Sequence, residues 1–561
     1  MRRLLLAAPL LLLAACAGAR SEGPPPTAAA AEGFGASPYG MFLAGQAALN
    51  DGRSVEAARY FEQASAYPDT DGVVAERAFS AAVLAGDIER AVTLAPQGPD
   101  VSEATKRLAA LTNAVEAIAD GRGKAAQDLL SGEAIGFPHR PVAALLAPWA
   151  AAQAGDTEAM FVRPQVRGDR VVDYFGQLGR AQLFERARRF DEAETDYKAA
   201  SASAGSEMSI LAYGAFLERQ SRRKEAVELY DTLIAAGSDG VRLTEARARA
   251  TAGRKAPALP SLKEGAAQAL LAPAATMLQA RQTQLALLYL RLALRLDPKR
   301  DEAWVMLGDV MQAAGDADAA RAAYARLKPG SPEYASAQAK LAWTYQSAKD
   351  PETALKLARA AAATGDVEAR VNLADLLRAD ERHAEAVAVL NDLIGEAKTP
   401  DWRLHYARGV ALERLGRWPE AENDLTAALK ARPDEPELLN YLGYSWIDRG
   451  ERLAEALAMV EKAVAANPRS GAMVDSLGWA HYRMGDYKKA VETLERAVGL
   501  EAGDPEINNH LGDAYWMVGR KDEAVFQWRR VLTLDPEDKI RADAESKIAS
   551  GLGPTRKIAV Q

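Results

Sequence analysis

The sequence predicts an all-α fold in which antiparallel helix hairpins stack into a solenoid. Small residues recur in three parallel series at steps of 34 or 35 residues. The series are Gly409, Gly443, Gly478 and Gly512; Gly416, Gly450, Gly485 and Gly519; and Ala421, Ala456, Ala490 and Ala524. One hairpin cannot bury its apolar face alone, so a repeat of this length predicts that neighbouring hairpins pack on one another.

Each series has its own place within a hairpin. The first glycine and the alanine let the two helices approach closely, and the second glycine ends the first helix, where a positive φ is needed. Pro433, Pro468 and Pro536 end the second helix in three of the four units, and Ala502 stands there in the other. This arrangement resembles the tetratricopeptide repeat, which implies a superhelix whose first helices line a concave surface.

The repeat register sets the expected domain boundaries. We predict eight tetratricopeptide repeats over residues 267–538 and a degenerate array of the same kind over 38–238. Residues 239–266 show no clean repeat and are expected to form an irregular joint between the two arrays. Residues 539–549 are polar and predict a capping helix, and residues 550–561 are expected to be a tail.

The first sixteen residues predict a targeting signal. Arg2 and Arg3 precede ten apolar residues, which are too few to span a bilayer comfortably, and Cys16 follows as the sole cysteine of the chain. The stretch resembles a bacterial lipoprotein signal, which implies removal of residues 1–15 and lipidation of Cys16. The alternative is an ordinary secretory signal that happens to contain a cysteine.

Two further features extend the lipoprotein interpretation. Residues 16–37 are rich in glycine, proline, alanine and serine, and they are expected to tether a folded body to the membrane. Ala17 follows the cysteine, where aspartate would imply inner-membrane retention. The resemblance therefore implies a lipoprotein of the outer membrane that faces the periplasm.

Composition and motifs favour a non-enzymatic protein. The net charge of −8 argues against nucleic acid as a partner, and a single cysteine excludes an internal disulfide or a cysteine-based metal site. The histidines show no metal-binding spacing; they are His139, His383, His405, His481 and His510. The sequence GYSWI at residues 443–447 lacks the closing glycine of a nucleophile elbow. We therefore predict no catalytic residue, no metal and no cofactor.

The repeat resemblance also implies which side chains face the concave groove. Counting along the first helices of four C-terminal units gives ten predicted groove residues: Tyr406, Asn440, Tyr444, Asp475, Trp479, Tyr482, Arg483, Asn509, Asp513 and Trp516. Aromatic rings beside amides and carboxylates suit an extended peptide or a partner helix. The alternative is that a tightly wound superhelix buries these rings between its own hairpins.

The resemblance reaches beyond the generic repeat. The runs LNYLGYSWIDRG at residues 439–450 and INNHLGDAYWMVG at 507–519 are similar to a family of long tetratricopeptide proteins from alphaproteobacteria. A more distant similarity is to outer-membrane tetratricopeptide lipoproteins that act as adaptors of periplasmic carboxyl-terminal processing proteases. This implies a membrane-anchored scaffold that recruits a protease or cell-wall hydrolases. The alternatives are a structural subunit of a secretion, pilus or outer-membrane assembly machine and, third, a cell-wall hydrolase.

Overall fold

The computed structural model describes residues 37–67, 72–204, 207–238, 240–397 and 400–553, and these form helices joined by turns and a few longer connections, without strands. The prediction of an all-α solenoid is confirmed. The chain forms two compact units, whose described parts are residues 37–369 and 370–553. The predicted signal peptide, Cys16 and residues 17–36 of the predicted tether lie outside the described residues, as do residues 554–561 of the predicted tail.

Helices α1 to α18 belong to the N-terminal unit. Their bounds are α1 Pro38–Asn50, α2 Ser54–Ser65, α3 Gly72–Ala85, α4 Ile88–Leu94, α5 Glu103–Ala119, α6 Gly123–Ser131, α7 Arg140–Ala154, α8 Arg170–Arg186, α9 Phe190–Ala204, α10 Glu207–Arg219, α11 Arg223–Ala235, α12 Val241–Thr251, α13 Leu262–Gln279, α14 Thr283–Leu296, α15 Asp301–Ala313, α16 Ala317–Tyr324, α17 Tyr334–Ser347 and α18 Pro351–Ala362. Helix α19, Val367–Ala379, contains the boundary between the units.

The C-terminal unit continues the hairpins and ends in a single helix. Its helices are α20 His383–Glu396, α21 Trp402–Arg414, α22 Trp418–Ala431, α23 Pro436–Arg449, α24 Leu453–Ala466, α25 Gly471–Arg483, α26 Tyr487–Leu500, α27 Pro505–Met517, α28 Lys521–Val531 and α29 Asp538–Ser550. Each odd-numbered helix from α21 to α27 packs against the next helix along the chain, and α29 packs on α28.

The recurring glycines act in the two ways that the repeat pattern predicts. Gly450 caps α23 in the left-handed region, at φ 73°. Gly512 lies inside α27 against the indole of Trp528 on α28, where an added Cβ would come within 2.6 Å of Cδ1. Trp528 is fully buried, so the bare backbone of Gly512 is what lets these two helices approach so closely.

The structure differs from the sequence prediction in the first half of residues 239–266, whereas residues 252–261 form no helix. Helix α12 occupies residues 241–251 there, and Leu243, Ala246 and Ala250 on it are buried. Arg249 pairs with the buried carboxylate of Glu218 on α10 at 2.7 Å. The segment lacks the glycine and alanine signature of a repeat, yet its buried face and this ion pair hold it as a helix against the preceding hairpin.

The hairpin formed by α13 and α14 packs back onto helices far upstream in the same unit. The N-terminal core joins residues of α3, α5 and α7 to residues of α13, α14 and α15. Arg295 on α14 donates to both carboxylate oxygens of Glu116 on α5, at 2.7 and 2.8 Å. The division between compact units consequently falls at residues 369 and 370 instead of at the expected joint.

Among the described residues, no helix is both long enough and apolar enough to cross a bilayer.

Candidate partner-binding surface of the C-terminal repeats

The ten predicted groove residues lie on the four first helices α21, α23, α25 and α27. Helix α25 contacts both α23 and α27, so these first helices form one continuous row. The glycine and alanine positions allow each first helix to pack closely on its own second helix. The predicted groove side chains then lie on the side of the first helix that faces the neighbouring first helices. Their accessibility then depends on how tightly adjacent hairpins wind.

Trp479 and Tyr482 are packed inside this row. The Trp479 ring lies between Tyr482, with centroids 4.5 Å apart and planes at 7°, and His510, at 4.0 Å and 13°. Their residual exposures are 9% for Trp479 and 7% for Tyr482. Trp479 Nε1 has no hydrogen-bond partner among the described residues. The three rings form a stack that joins α25 to α27. The alternative interpretation, in which the superhelix buries the aromatic rings between its own hairpins, is therefore correct for Trp479 and Tyr482.

A buried ion pair accompanies the stack. Nδ1 of His510 on α27 lies 2.9 Å from a carboxylate oxygen of Asp475 on α25, and both side chains are buried. Burial lowers the pKa of His510, but the adjacent Asp475 carboxylate outweighs it and raises the pKa to about 9. Sequence reasoning excluded a metal-binding spacing for His510 and assigned this side chain no partner. Its position one residue after Asn509 gave no signal that it would pair with an acid 35 residues upstream.

The capping helix α29 occupies the far end of the row. Lys547 Nζ donates to Asp513 Oδ2 at 2.8 Å and to Asn509 Oδ1 at 3.2 Å. Asn509 Nδ2 donates in turn to Asp543 on α29 at 2.9 Å. Burial raises the pKa of Asp513, and the ammonium of Lys547 opposes that rise. The polar side chains predicted to bind a partner backbone here bind the chain's own C-terminal helix instead.

The prediction of an open surface is therefore wrong for half of the ten predicted groove residues. Five of the ten side chains are buried against the chain itself: Asp475, Trp479, Tyr482, Asn509 and Asp513. The physical reason is that each first helix is covered by the next one along the row, and the last is covered by α29.

The other five predicted groove residues stay partly exposed, and we call them the open groove residues: Tyr406, Asn440, Tyr444, Arg483 and Trp516. Arg483 Nη1 donates to the carbonyl of Asp448 at 2.6 Å, and Trp516 lies 5.0 Å from Lys521 Nζ. These contacts fix the two side chains near the ends of α25 and α27.

Tyr406, Asn440 and Tyr444 lie on the adjacent helices α21 and α23. Tyr406 meets Tyr441 edge to face, with ring centroids 5.7 Å apart. The Tyr444 hydroxyl donates to Glu506 at 2.7 Å, which links α23 to α27 across α25. Asn440 Oδ1 is shielded from solvent and accepts no hydrogen bond from any described residue. These residues therefore combine partly exposed ring surface with a partly exposed amide side chain whose oxygen is enclosed by the protein.

No described group of three or more histidine, aspartate or glutamate side chains is arranged to hold a metal ion. Each of two histidines has one clear neighbour. His405 Nδ1 lies 2.8 Å from Asp424, and His139 Nδ1 lies 3.1 Å from the Tyr289 hydroxyl. Burial lowers the pKa of His139 to about 4. These contacts give both residues structural roles between helices.

Comparison with known proteins identifies the repeats. A tetratricopeptide-repeat family model matches residues 339–401, 406–471 and 476–539, and a second tetratricopeptide-repeat model matches 277–343. The chain therefore contains tetratricopeptide repeats, and its fold is an α-solenoid built from them. This outcome confirms the class of repeat that the glycine and alanine spacing indicates.

One curated relative is a TPR repeat-containing protein of Pseudomonas aeruginosa, 28% identical over 216 residues. The match covers 38% of this chain and 36% of the relative, so it spans about a third of the relative's length.

Two solved structures show a weak similarity. The APC/C hetero-tetramer Cut9–Hcn1 matches at 16% identity and a TM-score of 0.40, covering 92% of this chain and 97% of that one. A thermophilic TPR protein of Thermus thermophilus matches at 24% identity and a TM-score of 0.30, covering 33% of this chain and 100% of that one.

Proposed function

We propose that this protein is a non-enzymatic, membrane-anchored adaptor whose C-terminal repeats bind an extended segment of a protein partner. The binding surface is formed by Tyr406, Asn440 and Tyr444. The observation that carries the proposal is the pair of partly exposed tyrosine rings on the adjacent first helices α21 and α23, with Asn440, also partly exposed, on α23.

The chemistry of this surface suits a peptide backbone. Asn440 Oδ1 is shielded, so a polar contact with a bound segment would come from the rest of this partly exposed side chain, at about 0.5–1.5 kcal/mol for one hydrogen bond. The tyrosine rings supply contact area with little conformational entropy to lose, which is why such residues dominate binding energy in protein interfaces. An extended segment presents peptide groups and side chains alternately, so it can contact the Asn440 side chain and the tyrosine rings together.

The anchor is the lipidated Cys16 that the N-terminal signal indicates. Two or three acyl chains would hold the protein in the membrane stably, because each buried CH₂ contributes about 0.8 kcal/mol. We place the protein in the outer membrane, facing the periplasm, with envelope proteins as partners. The resemblance to protease adaptors makes a periplasmic protease or the cell-wall hydrolases it degrades the first partners to test.

Site-specific photocrosslinking in intact cells tests the binding surface. A photoreactive amino acid at Tyr444 should capture a reproducible periplasmic protein, whereas the same group at Phe526 on α28 should not. Phe526 is a suitable control because it is an aromatic residue of the same unit, 63% exposed. The double variant Tyr406→Ala and Tyr444→Ala should lose the partner while retaining its helicity. Equal capture at both positions, or none at Tyr444, would contradict the proposal.

Two further measurements test the rest of the proposal. Mass spectrometry of the mature N-terminal peptide should show an acylated Cys16, and Cys16→Ser should abolish the modification. Purified protein incubated with peptidoglycan should release no soluble fragments. Co-purification with fixed subunit numbers, instead of capture in variable amounts, would favour a subunit of an envelope assembly machine over an adaptor.

A further inference from the structure

Three side chains of helix α23 form a stripe along one side of that helix. Asn440, Tyr444 and Asp448 are spaced four residues apart, and residues at this spacing lie one above the other on a helix surface. Asn440 and Tyr444 are partly exposed, and the side chain of Asp448 is 63% exposed. The stripe therefore extends the proposed binding surface from an amide and a ring to a carboxylate in the last turn of α23.

A second carboxylate reaches the stripe from another helix. Glu506 lies in the first turn of α27, is exposed, and accepts a hydrogen bond from the Tyr444 hydroxyl at 2.7 Å. A helix N-terminus favours acidic residues by itself, but here Asp504 accepts from the backbone N–H groups of Glu506 and Ile507. The carboxylate of Asp504 thus caps α27, whereas that of Glu506 contacts the tyrosine.

The charges beside the tyrosine ring do not balance. Asp475 is paired at 2.9 Å with His510, whose raised pKa of about 9 keeps it protonated at neutral pH. Asp448 lies 3.6 Å from Arg483 Nη1, which makes a closer contact with a backbone carbonyl. Glu506 forms no ion pair with any described residue. One exposed carboxylate at the edge of the ring is consequently left without a cation.

The negative potential acts on the tyrosine itself. Burial raises the pKa of the Tyr444 hydroxyl above its usual value, and the carboxylates of Glu506, Asp475 and Asp448 raise it further. The face of an aromatic ring is negative as well, and it attracts a cation within about 6 Å of its centre. Ring and carboxylates therefore favour the same ligand, a positively charged side chain, and an acidic side chain would be repelled.

We propose that Tyr444, Asp448 and Glu506 form a subsite for a basic side chain, arginine or lysine, of the bound segment. This inference rests on the proposed function, which places an extended segment of a protein partner on this surface. The cationic group pairs with the Glu506 carboxylate, and the alkyl stem lies on the Tyr444 ring. Asp448, on the same side of α23, adds a second negative charge that attracts the incoming segment.

Selection from a phage-displayed library of random decapeptides tests the subsite. The full-length protein should enrich peptides that carry arginine or lysine at least threefold over the starting library. The same library is screened against the double variant Tyr406→Ala and Tyr444→Ala, and peptides that bind both proteins are discarded because they bind elsewhere. Glu506→Arg reverses the charge at the ring and should abolish the preference for basic residues.

A selected peptide then measures the contribution of the charge. Fluorescence anisotropy compares it with a copy in which a neutral analogue replaces the basic residue, citrulline for arginine or acetyl-lysine for lysine. Glu506→Gln should weaken binding of the basic peptide at least threefold and of the neutral copy less than twofold, because glutamine still accepts from the Tyr444 hydroxyl but carries no charge. Glu492→Gln on α26 is the matched control, an exposed carboxylate of the same unit, and should change neither affinity.

The other outcomes overturn the subsite. Selected peptides without a basic preference would refute it while the proposed binding surface stands, and acidic peptides would assign the surface a partner of the opposite charge. Equal weakening of the basic and neutral peptides by Glu506→Gln would mean that the carboxylate only positions Tyr444. A library that yields no peptide dependent on Tyr406 and Tyr444 would contradict the proposed function itself, which distinguishes the two failures.

Discussion

The Trp479→Ala variant distinguishes between two interpretations of Trp479, a packed ring and a ring on an open binding surface. If Trp479 were exposed in a groove, its removal would change the stability of the fold little and would weaken only partner binding. In the structure the Trp479 ring is stacked between Tyr482 and His510 and is 9% exposed. The structure therefore predicts that Trp479→Ala destabilises the C-terminal repeats themselves.

The magnitude follows from the contacts of the ring. A tryptophan side chain buries about 200 Å², which corresponds to about 5 kcal/mol of transfer free energy. Two lost aromatic stacks add about 1 kcal/mol. Removal of the unpartnered Nε1 donor returns about 1–3 kcal/mol. The expected loss is about 3–5 kcal/mol, in the range for large-to-small changes in cores.

Urea unfolding measured by circular dichroism reports the total loss, and hydrogen exchange measured by mass spectrometry locates it. Because a solenoid is stabilised by nearest-neighbour interfaces, protection should fall in the α25 and α27 peptides and much less in the N-terminal unit. Phe526→Ala removes an exposed aromatic of the same unit and should change stability by less than about 0.5 kcal/mol.

The reasoning would be refuted by a Trp479→Ala protein that unfolds within about 1 kcal/mol of the wild type and keeps its hydrogen-exchange protection. If that variant also lost its crosslinked partner, Trp479 would belong to an open binding surface after all.

Three further changes probe the same unit. Gly512→Ala should cost about 1–3 kcal/mol in urea unfolding, because its Cβ would press on the fully buried Trp528. Lys547→Met should cost about 3 kcal/mol, because it leaves the buried carboxylate of Asp513 without its cation. The free energy of unfolding should fall as pH rises from about 6.5 to about 9, because the folded state holds the His510 proton more tightly than the unfolded chain does. This stabilisation by His510 is complete below pH 6.5. It is lost as the pH rises through the raised pKa of about 9.

Each of these changes has an internal control. Gly499→Ala lies on α26 in open space and should be neutral or slightly stabilising, which would show that the cost at Gly512 is steric. Adding Asp513→Asn to Lys547→Met should recover part of the lost stability, since no buried charge then remains unpaired. In the His510→Gln variant, the urea midpoint of unfolding should change less between pH 6.5 and pH 9 than it does in the wild type. An unchanged slope would contradict the assignment of that titration to His510.

The sequence by itself determined the hairpin and its spacing. A glycine such as Gly512 is required because the partner helix places Trp528 against it, and a glycine such as Gly450 is required because the helix ends with positive φ. Both requirements arise within one repeat of 34 or 35 residues. They consequently appear as a period in the chain and can be read without knowing how repeats stack.

Only the tertiary structure decided which groove side chains remain accessible. The repeat rule assigns Trp479 to the groove by its place on one helix, but its burial comes from His510 on the next first helix. Asp513 is likewise neutralised by Lys547, 34 residues further along. These contacts depend on the winding between hairpins, which the pattern within each hairpin does not specify.

The same distinction explains the segment between the arrays. Helix α12 shows no repeat signature, and its order depends on contacts such as Arg249 with Glu218. Hairpin α13–α14 packs on helices more than a hundred residues upstream, through Arg295 and Glu116 among others. Periodicity records contacts between residues that are close in sequence. Contacts across such distances are set by the path of the chain within the N-terminal unit, so only the folded chain shows them.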